Sequence, residues 1–197
     1  MQTEPIPQPS GHENSVASSA PGDLERVRSF LSLHDHLPGR PNSFPPGLPS
    51  IARWLVSNGL ASDDDVLDTA ALRWAADVRV ALRSRVSARP GESSDPTALA
   101  RLDLAARRSG IELRFADARL TPRRGGVVGA VGTLLASAFL AELDGSWARL
   151  RHCSNPECES VFYDRSKNRS GRWCSMRSCG NQAKVRAYRE RHRTPGR

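Results

Sequence analysis

The chain has four cysteines, Cys153, Cys158, Cys174 and Cys179, and all fall within 27 residues near its end. Their spacing is C-x4-C-x15-C-x4-C. Two close pairs around a loop of this length suit tetrahedral coordination of one Zn2+ by four thiolates. With every position filled by protein, no place remains for a water, so such an ion is structural rather than catalytic. Two disulfides are the rival reading, but they require an oxidising compartment. The opening MQTEPIPQPSGHENS has neither the basic nor the apolar region of an export signal. Four thiolates and one Zn2+ would lower the formal net charge from +8 to +6. His152, beside Cys153, could substitute as a ligand, but four cysteines already suffice.

The residues between the pairs must position them. Asn155-Pro156 predicts a turn inside the first pair, and Val161-Phe162-Tyr163 a strand. Residues 167–171 predict a second turn, after which Arg172-Trp173 returns to the second pair. Gly180-Asn181 opens a final helix. Knuckle, hairpin and helix in that order form the treble-clef plan, with Phe162 and Trp173 placed against the helix. So small a module buries too little to fold alone, and metal binding would supply the difference.

Charge is concentrated in the same segment. From Arg149 to Arg197 there are thirteen Lys and Arg against four Asp and Glu, whereas the first 148 residues hold sixteen against seventeen. A neutral body with a basic terminal module points to a polyanion partner. On the final helix, Ala183 and Ala187 can face the finger, while Arg186, Arg189 and Arg193 share a stripe and Lys184 and Arg191 flank Tyr188. Arginines of this kind hold phosphates or read guanine in the major groove.

The rest of the chain supplies a body. Residues 1–22 are rich in Pro, Ser, Gln and Glu and read as disordered. From 23 to 148 the apolar rhythm is helical. Helices are predicted over 24–33, 49–59, 62–86 (with Ser62 and Asp65 as a capping pair), 95–109 and 127–143. A proline-rich loop, 38–50, separates the first two. IELRF, 111–115, alternates like a strand and is expected to pair with residues near 118–120. Trp54 and Trp74 are expected in the core, and Gly129 and Gly132 permit close packing of the last helix. His34-Asp35-His36 and Arg123-Arg124-Gly125-Gly126 read as ordinary surface and turn rather than metal or anion sites. The fold class is therefore a mostly α N-terminal domain with a minor β-hairpin, followed at 149–197 by a small treble-clef-like zinc finger. No run approaches the roughly 18 apolar residues that span a bilayer, so the expectation is a soluble, cytoplasmic protein that binds no membrane. No nucleophile and base are paired, so no enzymatic activity is expected.

The segment RHCSNPECESVFYDRSKNRSGRWCSMRSCGNQAKVRAYRERHR resembles the CGNR zinc-finger family of bacterial proteins, regarded as transcription regulators. Phe162, Asp164, Ser166, Lys167, Asn168, Arg172, Trp173, Cys174, Ser175 and Met176 stand at the family's motif positions. One departure touches the name-giving motif, where Gln182 stands in place of arginine. The body is similar to the family's helical, alanine-rich ABATE domain, which implies sensing of a small molecule. Phe30-Leu31-Ser32-Leu33 departs from the segment with which such domains often open. Together these imply a zinc-dependent regulator that binds double-stranded DNA through Lys167, Arg169, Arg172, Gln182, Lys184, Arg186, Arg189 and Arg193. The body would sense a small-molecule effector or form a homodimer. The alternatives are a finger that binds protein, whose binding would resist salt, and one that binds RNA by stacking on Tyr163 and Tyr188.

Overall fold

The computed structural model describes residues 19–35, 46–87 and 95–192. The predicted disordered segment and the proline-rich loop lie largely outside these, as do His36 and Arg193. Helix α1 (Leu24–Ser32) buries Leu24, Val27, Phe30 and Leu31 at the i, i+3, i+4 spacing of an amphipathic helix. Helix α2 (Leu48–Ser57) starts on Pro49 and packs Trp54 against Phe30, with ring centroids 5.1 Å apart. The Trp54 indole N–H donates to Ser29 Oγ at 3.1 Å, which satisfies the buried ring. Trp74 is half-buried beneath the Arg108 guanidinium, 4.4 Å from the ring centre.

The predicted helix over 62–86 is broken in two. Ser62 and Asp65 do exchange capping hydrogen bonds, with Ser62 N–H donating to the Asp65 carboxylate at 2.8 Å. They close only a single 3-10 turn, Asp65–Leu67. Asp68 then turns extended and caps a new helix, α3 (Thr69–Ser87), accepting from the N–H groups of Ala70 at 2.9 Å and Ala71 at 3.0 Å. Two caps compete, Ser62 with its partner Asp65 and then Asp68, and the second starts the long helix.

Helix α4 (Pro96–Ser109) has Pro96 at its first position and Asp95 as its cap, and ends at Gly110 in the left-handed conformation, φ 62°. Strands β1 (Ile111–Arg114) and β2 (Arg119–Pro122) pair antiparallel, Leu113 opposite Leu120, as expected. Helix α5 (Gly126–Leu143) runs through the centre against α1, α3, α4 and β2. A Cβ on Gly132 would lie 2.7 Å from both Pro122 Cβ and Ser109 Cβ, so only glycine lets the hairpin and α4 approach this closely. Contrary to the sequence expectation, α5 reaches 18 residues at a mean hydropathy of 1.8, long and apolar enough to cross a membrane by length and composition. In the fold it is the core helix, with Val131, Leu134 and Leu135 buried among the others.

After the 3-10 turn Trp147–Arg149, strand β3 (Leu150–His152) pairs antiparallel with β4 (Val161–Tyr163). The partner of 161–163 is thus the segment before the first cysteine, and Arg172-Trp173 forms no strand. The chain closes with a wide turn, Met176–Gly180, and helix α6 (Asn181–Arg191). Among the described residues the fold is mostly helical with two small hairpins.

The buried face of α3 includes two arginines. Arg79 is 1% exposed and Arg83 is 7% exposed, between Ala75, Val78, Leu82 and Val86. Arg79 donates to Phe30 O at 2.7 Å, to Leu31 O at 2.8 Å and to Leu33 O, carbonyls at and just beyond the end of α1. Burial, and then the neighbouring Arg83 charge, pull Arg79 down to about 9, which leaves it protonated at neutral pH. Arg79→Met keeps the packing volume but strands those carbonyls. Hydrogen bonds from a charged donor contribute about 1.5–3 kcal/mol, so we expect a loss of at least about 3 kcal/mol in denaturant unfolding. A loss below about 1 kcal/mol would show that water reaches the carbonyls instead.

Candidate metal centre

The first cysteine pair lies in the connection of the β3–β4 hairpin. Cys153 N–H donates to Ser160 O at 3.0 Å just beyond the ladder, and Cys158 N–H donates to Asn155 O at 2.9 Å across the predicted turn. Ser154 N–H reaches Arg172 O at 2.8 Å, drawing the second pair alongside. Cys174 enters the wide turn and Cys179 lies within it, where Gly180 N–H donates back to Ser175 O at 3.0 Å, five residues earlier. The intervening loop is ordered by buried Asp164, which accepts from Ser166 N–H at 2.9 Å and Gly171 N–H at 2.8 Å. Burial alone would make the carboxyl a weaker acid, but the Ser166 and Gly171 hydrogen bonds outweigh it and hold its pKa below the ordinary value.

All four Sγ atoms lie within 4.8 Å of one another. Cys158 and Cys174 are 3.7 Å apart, and Cys174 and Cys179 are 3.6 Å apart. A disulfide requires about 2.05 Å, and all four cysteines are free, which removes the two-disulfide alternative. Four sulfurs each about 2.3 Å from a tetrahedral zinc would stand about 3.8 Å apart. The donor set and its spacing fit one zinc ion.

The same crowding sets the thiols against one another. Hydrogen bonds from Cys153 and Cys174 hold Cys158 well below the usual thiol range. The contact with Cys158 pushes Cys153 up to about 11, and those with Cys153 and Cys158 push Cys174 far higher still. Four thiolates cannot share this volume without a cation, and a divalent ion removes the conflict. An amide also faces the cluster: buried Asn155 donates from Nδ2 toward Cys179 Sγ at 3.5 Å and to Gln182 Oε1 at 2.9 Å.

The hairpin is fastened to the body. Arg83 on α3 donates to Glu159 O and to the Glu159 carboxylate, both at 3.0 Å, and to Leu31 O at the end of α1. Arg28 donates to Val161 O at 2.9 Å, and Val161 N–H donates to Ser32 Oγ at 3.0 Å. His152 points at α3, its ring nitrogens 3.2 Å from Arg83 O and 3.3 Å from the Arg83 guanidinium, and takes no place among the four sulfurs. Burial, offset in part by the Arg83 carbonyl, lowers its basicity.

The cluster, the hairpin and the following helix define a four-cysteine zinc finger. Residues 149–192 match the family model of the CGNR zinc finger. Among curated proteins, none matches the chain.

Of the residues expected on nucleic acid, Lys167, Arg169, Arg172, Gln182, Lys184, Arg186 and Arg189 are all exposed, and Arg193 lies outside the described residues. They do not form one patch of equal freedom. Lys167 and Arg169 occupy the loop before the second pair, and Arg172 lies over the Trp173 ring at 5.2 Å. Arg186 pairs with Glu157 at 3.6 Å. A shallow hollow on α6 brings together Arg177, Gln182, Arg186 and Arg189. Arg177 was not singled out from the sequence, although an exposed arginine inside the second cysteine pair is a signal that could have found it. Asn155 was missed as well, since it appears there only as a turn residue.

Without a metal the crowded thiols cannot all ionise, so zinc uptake must expel protons. Apparent zinc affinity therefore strengthens as pH rises and weakens as it falls. Competition against a chelator between about pH 6 and 8, with an indicator for released protons, checks both. An affinity indifferent to pH would contradict the thiol assignment.

Proposed function

We propose that the zinc finger is the DNA-binding element of a transcription regulator and that it grips double-stranded DNA through α6 and the loop before Cys174. The observation that carries this reading is charge without partners. Between residues 165 and 192, Arg165, Lys167, Arg169, Arg172, Arg177, Lys184, Arg186, Arg189 and Arg191 are all exposed. Only Arg186 among these pairs with an acid among the described residues. Helix α6 buries no residue, so its charged side chains serve no core. A rigid helix held at its first turn by a metal-bound cysteine is a platform that can enter a groove and place several guanidinium groups on phosphates. Such a protein works as a binding protein at the nucleoid rather than as an enzyme.

A small-molecule role for the body has support of its own. A cavity of about 330 Å³ opens between α3, α4, α5 and β2, lined by Leu82, Leu102, Leu120, Leu135, Phe139 and Trp147. The Arg85–Glu142 ion pair stands at its edge. Size and lining suit a compact, largely apolar effector. Homodimerisation is the other role proposed for the body, and Leu140 and Leu143 stand exposed near the end of α5.

Retention of zinc-loaded protein on short duplexes should fall steeply with salt, because each phosphate contact releases counterions. Arg189→Ala and Lys184→Ala should each reduce the slope of log affinity against log salt by about 1. Binding that resists salt, or none at low salt, would overturn the DNA reading and direct attention to a protein partner.

A further inference from the structure

We propose that Gln182 is a positioning residue of the metal centre: it fixes the Asn155 amide, and that amide donates to the Cys179 sulfur. The proposal rests on the thiolate site alone and is independent of what the finger binds.

Asn155 is 5% exposed, so its amide has little water to turn to. Its two N–H protons have two acceptors within reach, Gln182 Oε1 at 2.9 Å and Cys179 Sγ at 3.5 Å. Its Oδ1 accepts from Glu157 N–H at 3.3 Å. Turning the amide over would set its oxygen against both the Gln182 oxygen and the sulfur and its NH2 against the Glu157 N–H, three repulsive contacts for three favourable ones. Gln182 therefore selects the orientation in which an N–H faces sulfur. Cys179 is one of the two buried ligands, where a hydrogen bond to a thiolate is little diluted by solvent. Such a bond draws charge from the thiolate, favouring the metal-bound form over the protonated one.

Gln182 itself is exposed, in the first turn of α6 and three residues beyond Cys179. Its side chain is thus not needed for packing, and what it contributes is an acceptor oxygen. Arginine at this position could not contribute it, since a guanidinium has five donors and no acceptor. The glutamine that breaks the C-G-N-R pattern in this chain is the residue that its Asn155 requires.

The test uses full-length protein. Zinc-loaded variants are mixed with excess chromogenic chelator and transfer is followed in time, and cobalt-loaded forms are compared by their thiolate-to-metal charge-transfer absorption. Gln182→Ala and Gln182→Arg should each speed zinc transfer about 10-fold and shift the cobalt band. Gln182→Glu, which keeps an acceptor of the same reach, should stay within about twofold of the parent. Asn155→Ala should be about as fast as Gln182→Ala, and the double variant no faster than either, because both act through one hydrogen-bond chain. Val185→Ala, at an exposed neighbour on α6, should leave the rate unchanged.

The proposal is overturned if Gln182→Ala transfers zinc at the parent rate, if Gln182→Glu is as fast as Gln182→Ala, or if the two single effects multiply. Should Asn155→Ala fail to fold, the three substitutions at exposed Gln182 decide alone. Weakened retention on DNA with unchanged zinc transfer would assign Gln182 to the nucleic-acid surface instead and likewise overturn it.

Discussion

Helix α1 ends inside the protein, and the carbonyls at its end reach beyond the helix for donors. Everything around that end is arranged to supply protons. Arg79 takes Phe30, Leu31 and Leu33, and Arg83, one turn further along α3, takes Leu31 and then reaches across to Glu159 beside the metal site. Leaving such carbonyls bare would cost several kcal/mol, and burying an unpaired guanidinium would cost more. The two defects cancel only because α1 and α3 are held at one separation. The negative end of the α1 dipole also meets two positive charges, which strengthens each contact.

This clamp makes the zinc finger part of the body's architecture. Val161 and Leu150 belong to the same buried cluster as Val27, Leu31 and Leu134, so no water-filled joint separates them from the helices. The β3–β4 hairpin is gripped from one side by Arg28, Ser32 and Arg83, while its connecting loop carries Cys153 and Cys158. Thiolate coordination and helix packing would therefore restrain the same hairpin. A change in the body that moved α3 along its axis would be felt at Glu159, one residue from a ligand. Leu82 at the apolar cavity and Arg83 at the hairpin are neighbours on this one helix.

Much of this was legible in the residues. The cysteine spacing located the metal centre because four ligands of one type in two close pairs stand out in the sequence by themselves. The capped α4, the short β1–β2 hairpin and apolar α5 followed from local signals that tertiary contacts reinforced. What escaped notice depended on partners distant in sequence. Periodicity counts Arg79 and Arg83 as polar, so the buried face of α3 looked narrower than it is. The break at Asp68 required weighing two caps against each other, where pattern alone favours one long helix. Strand β3 was missed because Leu150-Arg151-His152 offers a single apolar residue, and its place comes from pairing with β4. The Asn155–Gln182 contact spans 27 positions and leaves no periodic trace.

Gly132 sets a further condition. With Pro122 and Ser109 each 2.7 Å from where its side chain would begin, the central helix is seated to within the thickness of a methyl group. Ser109 ends α4 and Pro122 ends β2, so one hydrogen atom in place of a carbon keeps two separate connections on their intended paths. Protein engineering usually treats a helix-interior glycine as a weak point to be filled with alanine. Here the customary repair would act as a wedge, prising α5 from the hairpin and the end of α4 at the very place that glycine allows them to meet.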